Sequence, residues 1–262
     1  MPTVLEVANF QGLLGQIAQL ASRAVTTGWH GDPAAYARLI GPFLAASAQI
    51  SAHWYHSLAP DVPFAAAPGP LPPPEQLQAN ADYALTTADP SGALSGTTER
   101  HVFTTSGETV AANADREHVR YARYASANAC AFCRVLATRG PVYTSEAAAT
   151  RVSGGRGGRP RGSRAIGDSY HDNCHCVAVP VRPGDNYQPP DYVDQWQRDY
   201  VAARLDPDVH TFNDVVNHMR RTQYARDTSP FKELSQTKQE SPFGTLTQTA
   251  PTESPFTALS QR

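Results

Sequence analysis

Ala129-Cys130-Ala131-Phe132-Cys133-Arg134 and Tyr170-His171-Asp172-Asn173-Cys174-His175-Cys176-Val177 hold all four cysteines of this 262-residue chain. Forty residues separate Cys133 from Cys174, and no cysteine lies outside the two tight pairs. Thiol pairs with imidazoles nearby suit a tetrahedral metal site, a pair of covalent clasps, or a set of buried thiols. Each clasp reading makes residues 130–176 a closed unit pinned at its base. The candidate metal ligands are Cys130, Cys133, Cys174 and Cys176, with His171 and His175 as alternates and a structural zinc as the expected ion.

Working outward from the first pair, Thr105-Ser106-Gly107-Glu108 fits a capping box, and Gly140-Pro141 is a stop signal. The spacing predicts one long helix over 105–139, with Cys130 and Cys133 one turn apart near its C-terminus. After the second pair, Val177, Val179 and Val181 alternate, which predicts a strand with one apolar face. Between the pairs, residues 151–164 carry five arginines, five glycines and no acidic residue. Arg151, Arg156, Arg159, Arg161 and Arg164 are the candidate nucleic-acid contacts, because guanidinium forks match phosphates and glycines let backbone approach. Tyr121, Arg123 and Tyr124 extend this basic-aromatic surface or join the core.

The flanks are helical. Phe10, Leu13, Leu14, Ile17, Leu20 and Ala21 recur at helical spacing over 4–27, and Gly28 is a plausible end. Asp32-Pro33 reads as N-cap and first helical position of a second helix, which Gly41-Pro42 should kink or divide. Residues 59–75 are Pro-rich and predict a stiff connector; 75–88 predicts a short helix; 89–107 predicts loops with a strand at His101-Val102-Phe103. Segments 192–204 and 211–225 predict two shorter helices, with Trp196, Tyr200 and Leu205 as docking contacts. From 226 onward, Ser, Thr, Gln and Pro dominate around three Ser-Pro-Phe tripeptides, which predicts a disordered tail.

The fold class is thus mainly α with a small α+β module: an N-terminal helical hairpin, a long central helix packed on a short sheet, and a disordered C-terminal tail. The expected division is 1–58 for the hairpin, 59–104 for the connector, 105–185 for the Cys/His module, 186–225 for the C-terminal helices and 226–262 for the tail.

Composition narrows the function classes. Hydrophobic residues make up 40% and the formal charge is −2, so any nucleic-acid contact must come from a local patch. No stretch is apolar enough for a membrane helix, and Met1-Pro2-Thr3-Val4-Leu5-Glu6 lacks a basic start before an apolar run. Reducing surroundings, which favour thiols, are therefore the expectation. No His-x-Glu precedes a Pro-Cys-x-x-Cys, and no His-Glu-x-x-His occurs, so the signatures of zinc deaminases and zinc proteases are missing. The rival to a structural role is a metal-dependent nuclease or other zinc enzyme using His171 and the Cys cluster. His171, Asn173 and His175 suit such a nuclease, but its two framing Cys-x-x-Cys knuckles are not both present. No catalytic residue is assigned.

The run Ala129-Cys130-Ala131-Phe132-Cys133-Arg134-Val135-Leu136-Ala137-Thr138-Arg139-Gly140-Pro141-Val142-Tyr143, followed by Tyr170-His171-Asp172-Asn173-Cys174-His175-Cys176-Val177, resembles the MuF-like minor capsid proteins of tailed actinobacterial phages. The resemblance covers about 110–182. It implies a minor head protein carried in few copies inside the procapsid and virion head, after assembly in the host cytoplasm. It further implies association with portal, capsid and scaffold proteins, contact with phage DNA, no membrane and no established catalysis. Some relatives are fused to a maturation protease or to toxins. Residues 1–110 show no Ser/His protease constellation and the chain no added toxin domain, so neither activity is carried over.

Overall fold

Helix α1, Val4–Gly28, starts at a reciprocal cap: the Glu6 amide donates to Thr3 Oγ1 at 3.2 Å while the Thr3 amide donates to Glu6 Oε2 at 2.7 Å. Its buried stripe is Val7, Phe10, Leu14, Ile17, Ala18, Ala21 and Val25. Leu13 and Leu20, expected on that stripe, sit on the opposite, exposed face. Helix α2, Pro33–Ser57, begins as the sequence predicts, with Asp32 accepting from the Ala34 amide at 2.9 Å and Pro33 in the first turn. It runs undivided through Pro42. One missing ladder bond is tolerated there because Tyr36, Ile40, Leu44 and Tyr55 on the same helix are completely buried. Phe10 of α1 stacks flat on Trp54 of α2, with ring centroids 4.1 Å apart.

The computed structural model describes residues 1–141 and 175–227, the side chains of 224–227 excepted. After α2 the Pro-rich connector reaches α3, Pro74–Ala84, and then α4, Pro90–Glu117. The connector lies against α4. The Asn113 side-chain amide brackets Ala67, donating to its carbonyl at 2.8 Å and accepting from its amide at 3.0 Å. Gly69 donates to Thr109 Oγ1 at 3.0 Å, and Arg116 lies 4.2 Å above the Phe64 ring.

Helix α4 differs most from expectation. It starts at Asp89, whose carboxylate accepts from the Gly92 amide at 2.9 Å, and ends at His118 in the left-handed region (φ 59°). Residues 89–107, expected as loops and a strand, form its first half. Thr105-Ser106-Gly107-Glu108 is helix interior, and no helix runs on to residue 139. The reason is tertiary. Small polar side chains of low helix propensity are buried between α1, α2 and α3, where their hydroxyls find partners. Tyr36 Oη pairs with Thr98 Oγ1 at 3.0 Å, Ser47 donates to the Val102 carbonyl at 2.8 Å, and Ser51 donates to Ser106 at 2.7 Å.

Past the His118 cap the chain turns into β1, Arg120–Tyr124, which pairs antiparallel with β2, Val177–Val181, from Arg120 opposite Val181 to Tyr124 opposite Val177. All of β2 is buried. The expected single apolar face is two: Val177 and Val179 join the core of the helices, while Ala178 packs with Tyr55, Val110 and Tyr121. Helix α4 packs on β2, as the long central helix was expected to do on a short sheet.

A short helix α5, Ala131–Ala137, follows β1, and α6, Tyr192–Leu205, and α7, Phe212–Asp227, complete the described elements. Trp196 is buried and Tyr200 packs on the core, but Leu205, expected to dock, is exposed. Met1–Gln223 forms one compact unit. The protein is mainly helical with a small antiparallel sheet, and no described helix is long and apolar enough to cross a membrane. Beyond Asp227 the expected tail, with its Ser-Pro-Phe repeats, lies outside the described residues.

Candidate functional site

The end of β1 and the start of β2 are neighbours because the register pairs Tyr124 with Val177. Cys176 directly precedes β2, so it sits where β1 turns toward α5. Arg134 holds that turn, donating through Nε to the Ala129 carbonyl at 2.7 Å and through Nη2 to the Ala127 carbonyl at 3.3 Å. Its guanidinium lies 5.1 Å over the Trp196 ring of α6. Tyr192 ties the same turn to α6, donating to the Ala125 carbonyl at 2.8 Å. Burial, with Tyr124 as hydrogen-bond neighbour, pushes the Tyr192 phenol well above its ordinary pKa.

Cys130 is the N-cap of α5, and its sulfur accepts from the Cys133 amide at 3.5 Å. The two thiols therefore stand at the start of a short helix, not at the end of a long one. The expected long helix over 105–139 fails here because Arg120-Tyr121-Ala122-Arg123-Tyr124 pairs as a strand with β2. The C-x-x-C spacing survives the change, since a cap and its following turn also bring positions three apart together.

Cys133 and Cys176 are both buried, and their sulfurs lie 3.1 Å apart. A disulfide needs about 2.05 Å. Four thiolates on a tetrahedral zinc, each at about 2.3 Å, stand roughly 3.8 Å from one another. The observed separation lies between the two. The second residue at this corner is Arg123 of β1. It is 2% exposed, and its Nη2 donates to Cys176 Sγ at 3.0 Å.

The imidazole of His175, an expected alternate ligand, faces the central helix. Its Nε2 lies 3.3 Å from Glu99 Oε2, and its ring tilts against Phe103 at 4.9 Å. The His175 carbonyl accepts from the Gln11 side-chain amide of α1, so the approach to β2 is tied to two helices. His171, Cys174, Arg151, Arg156, Arg159, Arg161 and Arg164 lie outside the described residues. Among the described residues, no three His, Cys, Asp or Glu side chains are placed to hold a metal ion. The donors that are described, two adjoining sulfurs and a third on the same helical turn as one of them, are of the soft kind that zinc takes.

Of the two readings open for Tyr121, Arg123 and Tyr124, surface or core, the core one holds: all three are buried. Glu99 and Arg134 carried no sequence signal of their own.

A family model described as VG15 protein matches residues 17–203. The chain belongs to the VG15 protein family. It is a phage protein. The VG15 match runs from within α1 to within α6 and includes both cysteine pairs. No curated protein and no solved structure matches the chain.

Proposed function

We propose that this VG15 family protein is a structural minor head protein of a tailed phage. In this reading it joins the procapsid beside the portal and is retained inside the virion, without catalysing a reaction. One observation carries the proposal: Cys133 and Cys176, one from each of the two sequence blocks that resemble MuF-like head proteins, meet in space with their sulfurs 3.1 Å apart. Segments far apart in sequence are thereby brought side by side on a helical body, an arrangement that suits a docking component. The family match supports phage origin, and the minor-head role goes beyond it.

A structural zinc held by Cys130, Cys133, Cys174 and Cys176, with His171 as alternate, is part of the proposal. The ion would supply cohesion between α5 and β2 through Lewis-acid bonds to thiolates. The arginines of 151–164 are the proposed DNA contact, through phosphate neutralisation. Co-expression with the portal protein of the same phage tests the docking role. Co-elution as one complex, with plasmid left intact on incubation, is expected. Separate elution together with plasmid nicking that His171→Ala abolishes would replace this reading with the nuclease.

A further inference from the structure

Helix α1 turns an almost uncharged face outward. Its only charged side chains are Glu6 near one end and Arg23 near the other, and residues 7–22 carry none. A helix face left to water ordinarily carries charge. At about 100° per residue, Leu5, Asn9, Gly12, Leu13, Gln16 and Leu20 fall within about 100° of one another on the helix surface. All six are exposed, with Leu5 at 67%, Leu13 at 42% and Leu20 at 55%. Exposed leucines along a charge-depleted face are the composition of an interface centre rather than of a solvated surface.

We propose that two copies of this chain pair through this face of α1, antiparallel, about a two-fold axis between Gly12 and Leu13. The face's own symmetry selects the occupant. Turned about that midpoint, Gly12 meets Leu13, Asn9 meets Gln16 and Leu5 meets Leu20. Each Leu13 enters the space over the partner helix at Gly12, where a Cβ would meet nothing within 4 Å. Asn9 and Gln16 are both amides, able to donate and to accept. Arg23 of each helix comes to the end that holds Glu6 of the other, whereas a parallel pair would set like charges together. A surface that complements itself under a two-fold is the requirement of an isologous dimer. The paired stretch, residues 5–20, is about 24 Å long at 1.5 Å per residue. A contact of that length belongs to the small class of interfaces, below about 1,200 Å² in total, so the dimer is weak and concentration-dependent. The pairing is independent of the minor-head reading.

Sedimentation velocity of the full chain across the micromolar range, in a thiol reductant that excludes cross-links through cysteine, tests it. Wild type should shift reversibly from monomer to dimer. Leu5→Glu should remain monomeric while keeping the helical circular dichroism and melting of wild type, because the side chain it replaces is exposed. Leu20→Lys should do the same, and decides the matter if Leu5→Glu does not fold. The Leu5→Glu/Leu20→Lys variant should dimerise again, since antiparallel copies set each new carboxylate against a new ammonium. Gly12→Ala should weaken the dimer several-fold without loss of monomer stability. Wild type that stays monomeric throughout, or a dimer that both single charge variants leave intact, overturns the proposal. A double variant that stays monomeric overturns the antiparallel pairing, and Gly12→Ala that dimerises like wild type overturns the register.

Discussion

Tyr55, Glu117 and Arg182 share one corner of the molecule, where three residues far apart in sequence satisfy one another. Tyr55 donates to Glu117 Oε2 at 2.5 Å, and Arg182 grips the same carboxylate through Nε at 2.6 Å and Nη2 at 2.9 Å. Burial and the adjacent carboxylate both push the Tyr55 phenol well above its ordinary pKa, as burial and Tyr124 do for Tyr192. The folded state thus holds both phenol protons more tightly than the unfolded chain, whose tyrosines ionise near pH 10 (about). This stability is fully present below that pH and is lost as pH rises above it, because the unfolded state releases its protons first. Urea midpoints measured across the alkaline range should fall for wild type. They should fall less steeply for the Tyr55→Phe/Tyr192→Phe variant, which loses about 1 kcal/mol per hydrogen bond at neutral pH. Equal alkaline slopes would show that these phenols are not the cause. The cysteine pairs were legible in the sequence because they are rare and discretely spaced. Arg123 was not, since a buried arginine and the exposed Arg120 look alike until a strand assigns them opposite faces.

Element by element, legibility followed the strength of local signals. Helix α2 announced itself through Asp32-Pro33, and β2 through its alternating valines. Helix α4 hid its first half because Ser, Thr and Gly favour loops in isolation, and only burial against three other helices makes them helical. The Pro-rich segment, expected as a stiff connector, is fastened to α4 by Asn113 and Thr109, contacts that no local signal announces. Gly69 gives this fastening a sharp test. A Cβ there would sit 2.9 Å from the Thr109 backbone nitrogen and Cα, atoms that cannot swing away. Gly69→Ala should therefore destabilise by about 1–3 kcal/mol. Gly12, exposed on α1, has nothing within 4 Å of its Cβ position, so Gly12→Ala should stabilise by about 0.5–1 kcal/mol. Chemical denaturation of both variants checks this pair, and a neutral Gly69→Ala would mean that the connector does not lie against α4.

At the scale of the whole molecule, helices α1 to α4 form a body onto which β1, α5 and β2 are set as a corner where Cys133 and Cys176 meet. The sequence showed both cysteine pairs and the strand after the second, but it misplaced the first pair at the end of a helix that stops at Glu117. The contact between Cys133 and Cys176 does not depend on that helix: β1 and β2 pair so that the end of β1, leading to α5, lies beside the start of β2. Such a closed corner on a helical body is what the minor-head reading requires of a protein that must keep its shape among larger assembly partners. Quantitative mass spectrometry of purified particles of the encoding phage addresses that reading most directly. The account predicts this polypeptide in every preparation at a few copies per particle, retained after nuclease treatment and high-salt washing. Finding it throughout the infected-cell lysate but never in particles would contradict the account.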